Sequence, residues 1–301
     1  MTNPLRRTVP AAAALLGLAL VAGCGSNDAT AGDGATTPAT TATSPTTPVA
    51  ASSATSSAAT ATSEPAADTP TVLYYAVKTS LGDRITAEQH TGVSGLTAVQ
   101  STAPVDPDYR NLVPTGSLGT SKVDGGQITI TVAKPSFATS TLAPAQAKLA
   151  VQQVVYSANA ANGTATKPLP VHFVSATGKD STYLGQPSLA KAGPQLQTLA
   201  LMSVLSPGDG AKLSATSTTF TGAGSSFEAT VGWKITDSSG KNVLHGSTMT
   251  KGWMDHLWPW KATVALSKLS AGDYTFTAST DDASGGEGPG PITDTKTFTI
   301  S

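Results

Sequence analysis

Four acidic side chains, Asp281, Asp282, Glu287 and Asp294, lie in and just after a glycine-rich stretch near the C-terminus. A hard cation such as calcium requires converging carboxylate oxygens, and these four are the best oxygen set in the chain. The competing reading is a solvated turn between two strands, which uses the same residue types. The four histidines, His90, His172, His245 and His256, are scattered, and none has a zinc-type spacing such as His-Glu-x-x-His. Ser188 with Lys191, and Ser238 with Lys241, match the spacing by which a lysine activates a serine for acyl transfer. The Ser-Asp-Asn and Lys-Thr-Gly elements that complete such a site are missing, and two matches are about what chance supplies in a serine-rich chain. There is no Gly-x-Ser-x-Gly elbow and no phosphate loop. These residues imply no enzyme and no cofactor, and they turn attention to binding. For binding, the stretch GWMDHLWPW at 252–260 holds three of the chain's four tryptophans.

A second reactive group stands near the N-terminus. Arg6 and Arg7 precede an apolar run from Val9 to Ala22, which ends Val21-Ala22-Gly23-Cys24. A basic start, a short apolar core and a small-residue junction read as an export signal over 1–23, too short to span a membrane. A cysteine directly after the junction resembles the lipobox of bacterial lipoproteins, in which the thiol is diacylated and becomes the new N-terminus. The alternative is an ordinary signal peptide followed by a chance cysteine. Two acyl chains hold a protein stably on a membrane, where one is marginal. The expected location is therefore the outer face of the cytoplasmic membrane, with Cys24 as the anchor. Cys24 is the only cysteine, so an exported chain has no disulfide. Arg6-Arg7 leaves both the general and the twin-arginine export routes open.

Residues 24–70 follow, and after Cys24 they are mostly Ala, Thr, Ser, Pro and Gly with no Lys, Arg or aromatic residue, Val49 being their only larger apolar side chain. Such a segment buries too little apolar surface to offset its ordering entropy, which predicts a disordered stalk. As a flexible coil it spans roughly 35–40 Å, and stretched it reaches about 150 Å. Beyond it, residues 71–301 carry 16 basic residues (18 less Arg6 and Arg7) and 15 acidic ones (19 less Asp28, Asp33, Glu64 and Asp68). That balance and the export signal argue against nucleic acid as a partner.

The folded part divides into two regions. In 71–192 the pattern predicts a strand over 72–77, a short helix between Gly92 and Ala103, and a hairpin of 119–123 with 127–133. A helix follows from Pro144 through Ala158, then a strand over 169–175. The order β-α-β-β-α-β predicts a small α+β sandwich with helices on one face of a sheet. Arg84–His90, Asp106–Arg110, Ala150–Tyr156 and Pro170–Phe173 resemble the GerMN domain of sporulation and germination lipoproteins of Gram-positive bacteria. The resemblance implies a non-catalytic α+β module used in assembly. Together with the Ala/Thr-rich composition, it points to an actinobacterial source.

In 199–301 the alternation is cleaner. Phe227, Ala229, Val231, Trp233 and Ile235 share one phase, as do Tyr274, Phe276 and Ala278, and Phe298 with Ile300. With 201–205, 218–222, 242–246 and 258–266 this makes seven strands and no helix, the spacing of an all-β immunoglobulin-like sandwich. Tyr274, after Gly272-Asp273, sits where a tyrosine corner belongs. Leu205–Pro207, Phe227–Ala229, Trp258–Trp260, Gly272–Tyr274 and Asp282–Gly288 resemble the immunoglobulin-like domain of bacterial spore germination, which implies binding or assembly. Trp258, Trp260, Ala262, Val264 and Leu266 fall in one strand phase and are expected in the core. Trp253 lies outside it and is the expected partner contact, with Met254 and His256. The expected function is assembly of, or docking to, an envelope protein or a second copy. Peptidoglycan or wall-glycan binding is the alternative, and an unrecognised enzyme comes third.

If Cys24 carries the anchor, Cys24→Ser shifts the chain from the membrane fraction to the soluble one. Cell fractionation with immunoblotting reads this out, and a variant that stays membrane-bound overturns the lipidation reading.

Overall fold

The computed structural model describes residues 70–282, 287–288 and 290–301. The signal over 1–23, Cys24 and the stalk lie outside the described residues, as do 283–286 and 289 of the glycine-rich loop. No helix among the described residues is long and apolar enough to cross a membrane.

The first region opens with a hairpin of β1 (Thr71–Thr79) and β2 (Gly82–His90), and β1 also pairs with the short β3 (Tyr109–Arg110). A second sheet has the order β4 (Leu118–Asp124), β5 (Gln127–Val132), β6 (Val171–Val174) and β7 (Leu189–Ala190). Strands β5 and β6 run parallel. Parallel neighbours need a long crossover, supplied by helix α1 (Pro144–Ala161). Proline at the first turn suits α1, because that N–H has no intrahelical partner anyway. Its Ala147, Ala150, Val151, Val154 and Ala158 pack against Leu73 and Tyr75 of β1 and Ile128, Ile130 and Phe173 of the second sheet. Gln153, fully buried in α1, accepts the Leu112 amide and donates to the Tyr74 carbonyl, each at 3.0 Å.

Two expectations fail here. The helix expected within 92–103 is only a single 3-10 turn, Ala98–Gln100. In its place, the sheet gains β2, which no apolar period announces. Its four buried positions are Thr86, Glu88, His90 and Ile85, and only the last is apolar. Glu88 and His90 are tolerated inside because they satisfy each other at 2.8 Å, while Glu88 also accepts the Val105 and Asp106 amides and Tyr75 Oη meets His90 at 3.1 Å. The region is therefore two small sheets around one helix rather than helices on a single sheet.

The second region is a two-sheet sandwich. One sheet has the order β13 (Trp258–Ala265), β10 (Ser217–Gly224), β8 (Met202–Ser206). The other runs β12 (Asn242–Met249), β11 (Thr230–Asp237), β14 (Gly272–Thr280), β15 (Thr293–Ile300), β9 (Ala211–Leu213). Between them Phe220 stacks on Phe276 at 3.9 Å, and Phe298 and Trp260 close around that pair. Gly222 has to be glycine, because a Cβ there would lie 1.8 Å from the Ser203 carbonyl and 2.7 Å from the Trp260 ring. Tyr274 Oη donates to the Ser270 carbonyl four residues upstream at 2.9 Å, the tyrosine corner of an immunoglobulin-like sandwich. There are eight strands where seven were expected, the extra one being β9. Residues 227–229 are also not strand: they form a tight turn with Glu228 and Ala229 at φ 54° and 60°, and β11 starts only at Thr230.

The described residues form one compact unit. A single turn, α2 (Gln195–Thr198), leads into the sandwich, and Ile85, Tyr156 and Leu199 make a small apolar seam. The seam continues as a buried polar cluster. Lys296 of β15 pairs with Asp106 and donates to Tyr109 Oη at 2.7 Å. Tyr109 Oη in turn donates to Asp294, whose carboxylate also accepts the Val204 amide at 2.6 Å. Asp294 and Lys296 share the inward phase of β15 with Phe298 and Ile300.

Burial pushes the Asp294 carboxyl up to about 6, from an ordinary value of 3.8. Between those values it is neutral in the fold and charged in the open chain. Its stabilising contribution is therefore complete below about pH 4 and lost as pH rises through about 6. The stability of the full chain relative to Asp294→Asn falls across that window and then levels. Urea unfolding at a series of pH values measures this, and a difference that is flat or rises overturns the assignment.

Candidate functional site

The strand registers bring three loops to one end of the sandwich. Gly224 pairs with Trp258, Thr230 with Met249, Val231 with Thr280, and Ser279 with Thr293. The connections at 225–229, at 250–257 and from 281 onward must therefore meet there. Side-chain hydroxyls tie them together. Ser225 Oγ accepts the Met254 amide at 3.1 Å, and Ser226 Oγ accepts the Asp281 amide at 2.8 Å. The Thr250 hydroxyl donates to the Gly252 carbonyl at 2.6 Å, and the Thr250 amide bonds the Ala229 carbonyl at 2.9 Å.

Two sides of this end differ. On the β8 and β15 side, Asp106 and Tyr109 cover it. On the β11 and β12 side, Phe227, Met249, Trp253 and Met254 remain 43%, 65%, 47% and 59% exposed. Phe227 and Trp253 meet edge to face, 5.3 Å between centroids at 89°, the arrangement aromatic quadrupoles favour. Three of the four non-glycine residues with positive φ among the described residues, Glu228, Ala229 and Met254, are in these loops. Such conformations cost about 1–3 kcal/mol each and persist only where the surroundings impose them. An exposed group of large apolar side chains on rigid loops is a surface suited to binding.

Of the residues expected from sequence, Trp253 and Met254 are in this patch. His256 is not: its ring lies 4.0 Å from that of Trp258, tilted by 34°, and beside Asp255. Asp255 also accepts the Trp258 indole N–H at 2.7 Å, which holds its carboxyl below the usual range. Trp260 is core at 3% exposure, but Trp258 is only partly buried, its ring over Gly252. A Cβ on Gly252 would come within 2.4 Å of that ring, so glycine sets how closely the loop folds back. Phe227 and Met249 were missed. Phe227 is in phase with Val231 and Ile235, but the turn at 227–229 lifts it out of the strand.

Of the four calcium candidates, Asp294 is set apart from the others: its carboxylate faces inward to Tyr109 and Val204. No group of three or more His, Cys, Asp or Glu suited to a metal occurs among the described residues. On the first region His172 and Ser188 both bond the exposed Asp180, so the carboxylate lies between them and the three do not form a serine–histidine relay.

Residues 201–287 match the family described as the immunoglobulin-like domain of bacterial spore germination. No curated protein matches the chain. A solved structure described as an engineered protein aligns at 16% identity over 51% of this chain, with a TM-score of 0.23. The alignment spans only 36% of that protein's length, and at this score it carries no argument.

Because Trp253 is exposed, Trp253→Ala changes stability by no more than about 0.5 kcal/mol. The buried Trp260→Ala costs about 3–5 kcal/mol. Denaturant unfolding of the full chain compares the two, and equal losses would show that Trp253 is a core residue.

Proposed function

We propose that this chain is a non-catalytic envelope protein whose immunoglobulin-like loop end docks a protein partner. The supporting observation is the exposed Phe227, Met249, Trp253 and Met254 surface on hydroxyl-clamped loops. Aromatic and methionine side chains are enriched where protein interfaces take their binding energy. The internal ionisable clusters, Glu88 with His90 and Asp106 with Lys296, are occupied by their own bonds, which favours a structural use for them over a catalytic one.

In this reading Cys24, acylated after export, anchors the chain to the outer face of the cytoplasmic membrane, and the segment 24–70 carries the folded part outward. Residues 71–192 act as a GerMN-like assembly module and 199–301 as the docking domain, in an actinobacterial envelope complex of sporulation or germination type. A second reading is wall-glycan binding. It is favoured by the open polar face of the second sheet, lined by Thr120, Gln127, Thr129, Thr131 and His172.

Photo-cross-linking from position 254 of the full chain in its own cells separates these readings. Docking gives a discrete protein adduct, to another protein or a second copy, that Trp253→Ala reduces about tenfold or more. No protein adduct, or one indifferent to Trp253→Ala, overturns docking. Pelleting with purified wall sacculi, without such an adduct, supports the glycan reading instead.

A further inference from the structure

The apolar patch carries charge of one sign on its own loops. Phe227 and Trp253, meeting edge to face, leave an open corner bounded by an aromatic face. Glu228 directly follows Phe227, is exposed, and is held in the left-handed conformation at φ 54°. Asp281 is fixed nearby through its amide bond to Ser226. Burial, and after it the charge of Glu228, push the Asp281 carboxyl up. Neither forms a salt bridge among the described residues. The same three loops also carry Asp255, Asp282 and Glu287, against only Lys251 and His256 as basic groups.

A cation placed in that corner gains twice. It is attracted by the ring face, an interaction strongest for tryptophan, and by the carboxylates of Glu228 and Asp281 on the adjoining loops. We propose that this loop end receives a basic segment of its protein partner, with a lysine or arginine side chain in the Phe227–Trp253 corner beside Glu228 and Asp281. Apolar residues flanking that side chain lie against Met249 and Met254, whose unbranched, polarisable side chains adapt to varied shapes. The assignment rests on the protein-docking reading above and names the chemistry of the partner. An anionic lipid surface or an anionic wall polymer is repelled by this acidic set. A neutral glycan gains no charge attraction from these carboxylates.

The test uses the purified full chain in detergent and a fluorescein-labelled peptide alternating lysine with leucine, beside its glutamate–leucine counterpart. Fluorescence polarisation is expected to show binding of the lysine peptide alone, weakening steeply between roughly 0.05 and 0.5 M salt. Glu228→Gln and Asp281→Asn each weaken it about threefold or more, and Trp253→Ala about tenfold. Unchanged thermal unfolding midpoints establish that these exposed-site variants are folded. No binding of the lysine peptide, equal binding of the glutamate peptide, or carboxylate variants that bind like the parent overturn the assignment. If the assignment falls while the position-254 adduct still depends on Trp253, the docking reading stands with a partner of other chemistry. Loss of that adduct in the unaltered chain removes both.

Discussion

The buried pairing of Lys296 with Asp106 holds the described residues together as one body. An ammonium group taken out of water is tenable only with an anion and further acceptors around it. Here Asp106 supplies the anion, the Tyr109 hydroxyl accepts at 2.7 Å, and the Tyr109 ring lies 4.2 Å beneath the charge. Removing one member of such a pair costs about 3–5 kcal/mol, because the other charge stays buried without compensation. The pair is therefore weak as a source of net stability and strong as a constraint on geometry. The observed placement of the first region on the sandwich satisfies Lys296, Tyr109 and Asp294 together, and the apolar seam of Ile85, Tyr156 and Leu199 adds area to it.

That constraint decides what the loop end of the sandwich has left for binding. The side of the end nearest β8 and β15 is occupied by Asp106 and Tyr109. The side nearest β11 and β12 stays open, and there the strained turns at Glu228, Ala229 and Met254 hold Phe227 and Trp253 apart from the core. Hydrogen bonds from backbone amides to Ser225 and Ser226 fix these turns, so the aromatic pair is preorganised rather than ordered on contact. Preorganisation reduces the entropy lost when a partner arrives.

Parts of this arrangement were legible in the sequence and parts were not. The alternation in Val231, Ile235, Phe276 and Phe298 correctly marked the inner faces of the sandwich, and the separation of Trp260 from Trp253 followed from the same period. Strand β2 was invisible because its inward residues include Glu88 and His90, whose burial depends on each other and on the Val105 and Asp106 amides, 17 and 18 residues beyond Glu88. Phe227 was misplaced because period 2 continues through a turn that changes the backbone without changing the residue pattern. Lys296 offered a signal that was passed over: it sits in phase with Phe298 and Ile300, and a charge in an inward phase requires a partner from elsewhere.

By itself, the sequence determined the buried face of those strands and of the helix that carry an apolar period, since strand and helix geometry place alternate or 3.6-periodic side chains on one side without help from distant residues. The tertiary structure alone decided that Asp106 meets Lys296, that Asp294 turns inward to Tyr109 and Val204, and that Phe227 joins Trp253 at the surface. Each of those outcomes brings together residues from distant parts of the chain, and only the packing of the whole settles which buried charge finds a partner and which aromatic ring is left uncovered.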